Sequence, residues 1–411
     1  MTCKNDTPSL DTQLFLENIV QNEQIVNILQ ADDQLSETDR MHWVALISVE
    51  GVGLQTLFFI HNYLKKNRIS WHDFWVKNGR VSQKKPIFEK IESSIKKFKK
   101  EYTISSYWQL LLSKGISVVT VLDPHYPLLL KQISDPPALL FVKGEPDLLN
   151  GLSIAVIGTR RMTPYGRMVT QKIVGELVAN EVLIISGFMY GVDVMAQRTA
   201  IQKDGCTVGV LGYGFDHIFP RHQEELYQQM LQTKKAVFIS EYAPFTSPTK
   251  GTFPRRNRII AGLSLGVVVT EAGSKSGTQI TVGYALDYGR DVFAVSGPVT
   301  SIYHEGTKQM INQGAVLVGS GGEVISNLSA KNWEMSCLSK KAPQVDACIN
   351  NALKLDSLDQ AIVGALQIMP LTIGGLSKQL QLDSAVLMQR LAKLELNALV
   401  NCHGSYWQSC R

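Results

Sequence analysis

The chain has 411 residues, 45% hydrophobic and 19% charged, with a net charge of +5. That length outgrows one core, so two or three domains are expected, and no apolar run reaches the roughly 20 residues of a membrane span. The N-terminus "MTCKNDTPSLDTQLFLENIV" lacks the basic and apolar regions of a secretion signal, so a cytoplasmic protein with no membrane partner is expected.

Residues 1–35 read as a polar leader, and a helical domain is expected over 36–118. There "MHWVALISVEGVGLQTLFFIHNYLKK" spaces apolar residues at helical period on both sides of Gly51–Gly53, the pattern of a helix-hairpin-helix (SAM-like) unit. Such a turn can hold a DNA phosphate on its amides. With few basic residues beside it, an ordinary interhelix turn is the favoured reading. "KKPIFEKIESSIKKFKK" (84–100) reads as a lysine-rich amphipathic helix with a solvated face. "DPHYPLLLKQISDPPALLFVKG" (123–144) carries Pro124, Pro127, Pro136 and Pro137. It is expected to be a rigid connector without helix that leads into a strand.

From 151 the texture changes. "SIAVIG", "VLIIS", "CTVGVLG", "AVFIS", "GVVVTE", "DVFAVS" and "AVLVG" are short apolar runs separated by helical stretches. Continuous apolar runs are strands buried on both faces. They predict an α/β domain over 119–325, an extended Rossmann-like doubly wound parallel sheet. Residues 326–355 read as a linker. Over 356–411, helix, helix, helix, then strand predicts a winged helix. Its Lys378, Arg390, Lys393 and Arg411 are balanced by Asp356, Asp359, Asp383 and Glu395. Without a basic excess, protein contact or an accessory role is favoured over sequence reading.

Several chemistries are missing. "GTRRMTPYG" (158–166) has no G-x-G-x-x-G, and "GYGF" (212–215) is followed by His217 where a third glycine belongs. "GSKSGT" (273–278) has Lys275 inside the turn, which breaks the phosphate-loop spacing. The six cysteines form no CxxC pair, so reduced thiols and no metal site or cofactor are expected. Asp193 and Glu271 sit near strand ends, where either could be a general acid or base. Holding loop amides or orienting an arginine is the favoured role for both.

What the strand ends offer is donors. Arg160 and Arg161 follow the first strand of this domain, and Gly187 and Gly191 follow the second. Arg255, Arg256 and Arg258 crowd into "GTFPRRNRIIAG", and Lys275, Ser276, Gly277 and Thr278 lead into a helix. Loops at the carboxyl ends of parallel strands converge. Helix N-termini and guanidinium groups both suit phosphate. The prediction is a trough several loops wide, with Arg160 and Arg255 as its solvent-facing contacts. Arg256 is left open between trough and core, and Arg258 either joins the trough or pairs with Glu241 or Glu271. Phe188, Tyr190, Tyr213, Phe215 and Phe253 lie in the same loops. Taken singly each is explained by core packing; beside the arginines they can stack bases.

These residues carry a resemblance. "GTRRMTPYG", "SGFMYGVDVMAQ", "VLGYGFDHIFP", "SEYAP", "FPRRNRIIAGLS", "EAGSKSGTQIT" and "GTKQMINQGA" stand in that order. In this the chain resembles the DNA-processing protein A (DprA/Smf) family over about residues 120–325. The resemblance implies a non-enzymatic protein that binds single-stranded DNA. It implies a homodimer that protects incoming strands in natural transformation and helps load the RecA recombinase. It also implies that Arg160, Gly187 with the following Phe188 loop, Arg255 to Arg258 and the Ser276–Thr278 turn face nucleic acid. Two positions depart from the family pattern: Gln197 replaces a histidine, and Ser296-Gly297 replaces Pro-Gly. The rival is an enzyme similar to the "Lonely guy" phosphoribohydrolases, with Glu271 catalytic, although "AGSKSGT" differs from their "P-G-G-x-G-T". A third possibility is a scaffold acting through protein contacts alone.

Overall fold

The computed structural model describes residues 35–49, 52–80, 86–329, 357–368, 371–380, 382–396, 400–403 and 406–409. The expected leader (but for Leu35), Gly51 and most of the expected linker lie outside these residues. The chain divides into two compact units, Met1–Lys340 and Lys341–Arg411.

Among the described residues the first unit opens with five helices: α1 (Glu37–Ile47), α2 (Leu54–Asn67), α3 (Trp71–Val76), α4 (Pro86–Glu101) and α5 (Ile104–Ser113). α1 starts where the Ser36 hydroxyl accepts the Asp39 N–H at 3.1 Å, a serine N-cap. Its Trp43, Val44, Ala45 and Leu46 are all fully buried, so α1 is the hub of this helical layer. Trp43 meets Phe58 and Trp71 edge-on at 5.8 and 6.1 Å. α2 begins after Gly53, which caps it without a side-chain bond.

A nine-stranded sheet follows, in the order β1-β2-β6-β5-β4-β3-β7-β8-β9. All seven strands expected after residue 151 are present: β3 (Ser153–Ile157), β4 (Leu183–Ser186), β5 (Thr207–Val210), β6 (Ala236–Ser240), β7 (Gly266–Val269), β8 (Asp291–Ala294) and β9 (Val316–Leu317). They pair in parallel. β3 to β7 are buried along their whole length, as continuous apolar runs require. The helices of this layer are α6 (Leu128–Lys131), α7 (Pro164–Ala179), α8 (Val192–Gln202), α9 (Glu224–Gln232), α10 (Thr252–Gly262), α11 (Thr278–Asp287), α12 (Glu305–Asn312) and α13 (Gly321–Ser326).

Two features correct the sequence reading. β1 (Ser117–Thr120) pairs antiparallel with β2 (Leu139–Gly144), so the expected boundary at 118/119 cuts through a strand. Four residues are too few to show a period. α6 is a single helical turn inside the connector expected to lack helix, with Pro127 as its N-cap; proline excludes a helix only across its own position. The free edge of β1 is covered. Arg40 from α1 donates to the Val118 carbonyl and to both oxygens of Asp123, and Asp123 Oδ2 accepts the Thr120 N–H at 2.6 Å. This guards an edge that could otherwise pair with another chain.

β3 lies between β4 and β7. The sequence of crossovers reverses there, so the loops after β3 and β7 part and leave a crevice beyond the strand ends.

Among its described residues the second unit has α14 (Ser357–Ile368), β10 (Leu371–Thr372), α15 (Ile373–Leu380), α16 (Ser384–Leu396), β11 (Val400–His403) and β12 (Tyr406–Ser409). Its sheet runs β10-β12-β11, so a short strand precedes the second helix and a hairpin closes the unit. Ile362, Leu376, Leu387, Leu391, Leu394 and Trp407 form a core of its own. Asp359, fully buried, accepts from Arg390 and Lys393 at 3.1 Å each.

Candidate nucleic-acid interface

A cleft of about 630 Å³ opens at the switch point. Four connections build it: Gly158–Arg161 after β3, Met189 and Asp193 at the start of α8, Lys250 with one face of α10, and the turn into α11. Its charged lining is Arg160, Arg161, Lys250 and Arg256 against the single carboxylate of Asp193. A second cavity, of about 410 Å³, lies beside β1, where the one cation, Arg40, is already paired with Asp123.

Arg160 and Arg161 are exposed. The Arg160 guanidinium carbon stands 5.9 Å from the Phe253 ring centroid, within cation–π range, so the aromatic wall and the charge form one surface. Arg256 is 3% exposed yet reaches the cleft floor. Its Nη1 donates to the Gly187 carbonyl at 2.6 Å and also to the Val210 carbonyl. Burial pulls its pKa down, and nearby Asp193 opposes that pull. Burial pushes the Asp193 carboxyl up to about 6, against Arg256, Arg160 and the amides of Gly187 and Met189. Gly187 lies between these partners. A Cβ there would come within 2.6 Å of Asp193 Oδ2 and 2.8 Å of the Arg256 guanidinium, so a larger residue would have to displace one of these two charged groups.

α10 divides the arginine cluster. At 100° per residue, Phe253, Arg256, Asn257 and Ile260 face the cleft, while Arg255 and Arg258 turn towards Glu241. Arg258 is 4% exposed and binds Glu241 Oε2 at 2.5 Å and Asp135 Oδ2 at 3.0 Å. This corrects its assignment to the trough: it is an ion-paired core residue, the second of the two roles left open for it. Arg255 is exposed, 3.5 Å from Glu241 Oε1, and does not line the cleft.

The turn into α11 contributes Ser276, Gly277 and Thr278. Gly277 is the N-cap, and the Ser276 and Thr278 hydroxyls meet at 2.7 Å. Amides and hydroxyls at a helix N-terminus suit an anion. Lys275 is exposed and outside the lining. Phe188 is also corrected: it is fully buried, meets Phe238 edge-on at 5.0 Å, and has no face for a base. Tyr213 and Phe215 are core residues as well, and Tyr190 lies against His222. Phe253 is the aromatic of that group which lines the cleft.

Sequence reasoning missed Lys250 and Asn257. Asn257 was recoverable, because it stands one helical turn after Phe253. Lys250 belongs to an irregular loop whose course no periodicity reports. Glu271 is fully buried, accepts from Thr163 and does not line the cleft. Gln197, at the position of the family histidine, is fully buried and donates to the Val208 carbonyl at 3.1 Å.

The sequence profile of a family described as DNA recombination-mediator protein A matches residues 117–329. A DNA processing protein DprA of Bacillus subtilis is 40% identical over 220 residues, 53% of this chain and 73% of that protein. That of Streptococcus pneumoniae is 41% identical over 207 residues, 50% of this chain and 72% of that one. The X-ray structure of DNA processing protein A from Streptococcus pneumoniae superposes with a TM-score of 0.58 at 30% identity, covering 72% of this chain and 99% of that one.

Proposed function

The chain belongs to the DNA recombination-mediator protein A family, and from that premise we propose that its switch-point cleft binds single-stranded DNA. The observation that carries the reading is convergence. Arg160, Arg161, Lys250 and the α11 N-terminus meet around one cleft, with Phe253 as an aromatic wall. A lone phosphate would need fewer donors. A threaded strand uses all of them, stacking a base on the ring while its phosphates take the cations. Arg256 forms the floor, held from behind by the Gly187 carbonyl, while Arg255 and Lys275 lie outside the lining.

In this reading the protein holds incoming single strands during natural transformation and passes them to the RecA recombinase, working as a cytoplasmic homodimer. It performs no catalysis. The enzymatic alternative draws no support from the site, because the carboxylate it requires, Glu271, does not line the cleft. We read helices α1 to α5 as a helix-hairpin-helix (SAM-like) domain, residues 117–329 as the Rossmann-like domain, and the C-terminal unit as a winged helix.

The test is a salt titration with a labelled oligothymidine. Binding should weaken with salt at about −0.7 in log–log slope per phosphate contact. Arg160→Ala should make that slope shallower for every sequence alike. An Arg160→Ala protein with unaltered affinity and slope would sink the assignment.

A further inference from the structure

We propose that Glu271 is a positioning residue for strand binding, a buried clamp that holds both ends of the loop carrying Arg160 and Arg161. The inference rests on the single-strand reading of the cleft. The Glu271 side chain is 0% exposed. Its Oε2 accepts the Thr163 N–H at 2.8 Å, and its Oε1 accepts the Thr163 hydroxyl at 2.7 Å. Its main-chain carbonyl accepts the Thr159 N–H at 2.7 Å. Thr159 and Thr163 bracket Arg160, Arg161 and Met162. One residue therefore fixes the two stems of a three-residue span whose charges project into the cleft.

Elementary electrostatics argues that this carboxylate is not there for stability. Among the described residues no lysine or arginine pairs with it. Its one ion-pair neighbour among them is a histidine: His304 Nε2 stands 3.6 Å from Oε1, too far for a hydrogen bond, and burial lowers the His304 pKa, against the pull of Glu271, which disfavours its charged form. A buried carboxylate without a cation is costly, and an apolar side chain would serve a core better. The backbone nevertheless makes room for it: a Cβ at residue 166 would stand 2.1 Å from Oε2, so a side chain there would have to push the carboxylate off Thr163. Both oxygens accept from Thr163 and Glu271 does not line the cleft, so the carboxylate is not placed for acid–base work on a bound strand. Glu271 also begins the segment that ends at the α11 N-terminus. The clamp thereby ties the arginine loop to the amide turn across the crevice.

The experiment compares Glu271→Ala, Glu271→Gln, Thr163→Val and Arg160→Ala in the full chain, by anisotropy of a labelled oligothymidine across a salt series, with a thermal melt of each. Glu271→Ala and Thr163→Val should lower affinity about tenfold, the worth of one charge-assisted hydrogen bond. They should also flatten the salt slope by about 0.7 for each phosphate that the loosened loop no longer holds. Glu271→Gln should retain most of the affinity, because its amide accepts from the Thr163 N–H and donates to the Thr163 hydroxyl. Glu271→Ala should cost less in an Arg160→Ala background than on its own, since part of its effect acts through Arg160. Should Glu271→Ala fail to fold, Thr163→Val decides. Folded Glu271→Ala or Thr163→Val proteins with the unaltered slope would overturn the clamp, as would a Gln variant no better than Ala. If Arg160→Ala itself binds normally, the strand-binding reading fails instead.

Discussion

Asp193 sets the charge of the cleft floor. Burial holds its carboxyl near 6 while the neighbouring arginines pull the other way. A folded-state value above the usual carboxylate range means that its contribution to stability is present at acid pH and is lost as pH rises through about 6. The same proton removes the one negative charge among the cleft's lining residues. Affinity for an oligothymidine is therefore expected to rise as pH falls from about 7.5 to about 5.5, and Asp193→Asn should flatten that rise. A rise of the same size in Asp193→Asn would show that other groups cause it.

Among the elements, α10 does the sorting. Four consecutive residues, Arg255 to Arg258, look like one basic patch in the sequence, but a helix sends neighbours 100° apart. Arg256 and Asn257 face the cleft, whereas Arg255 and Arg258 face Glu241. The two faces carry different expectations. Arg258→Ala leaves Glu241 buried without its main partner and should cost about 3–5 kcal/mol, read as a lower denaturation midpoint, while the folded protein keeps its salt slope. Arg255→Ala, at an exposed pair, should shift stability by no more than about 1 kcal/mol. A reversed order of the two midpoints would contradict the division.

For the whole molecule, the strand order places the cleft, and each unit buries a core of its own among the described residues. The C-terminal unit buries its own apolar set, and Arg390 and Lys393 are bonded to Asp359. A chain ending at Lys340 is accordingly expected to melt cooperatively and to keep the salt-dependent affinity of the full chain within about threefold, a change of under 1 kcal/mol. A much larger loss would mean that the C-terminal unit also touches the strand.

The sequence by itself determined the strands from β3 onward, the α/β class and the segments that meet at the strand ends. Those depend on local periodicity, and continuous apolar runs admit few alternatives. It also contained the family motifs, and with them Arg160 and the Ser276–Thr278 turn as cleft residues; Arg161 came from the donors at the strand ends. Only the tertiary structure decided which side of α10 each arginine takes, that Phe188 is core, and that Lys250 reaches the cleft. It alone joined β1 to the sheet and set Glu271 beneath the arginine loop. Each of these depends on a partner far away in the chain: Glu241 for Arg258, Phe238 for Phe188, Thr163 for Glu271. Periodicity reports a residue's neighbours along its own helix or strand. The burial of a charge is settled by what the folded chain packs against it.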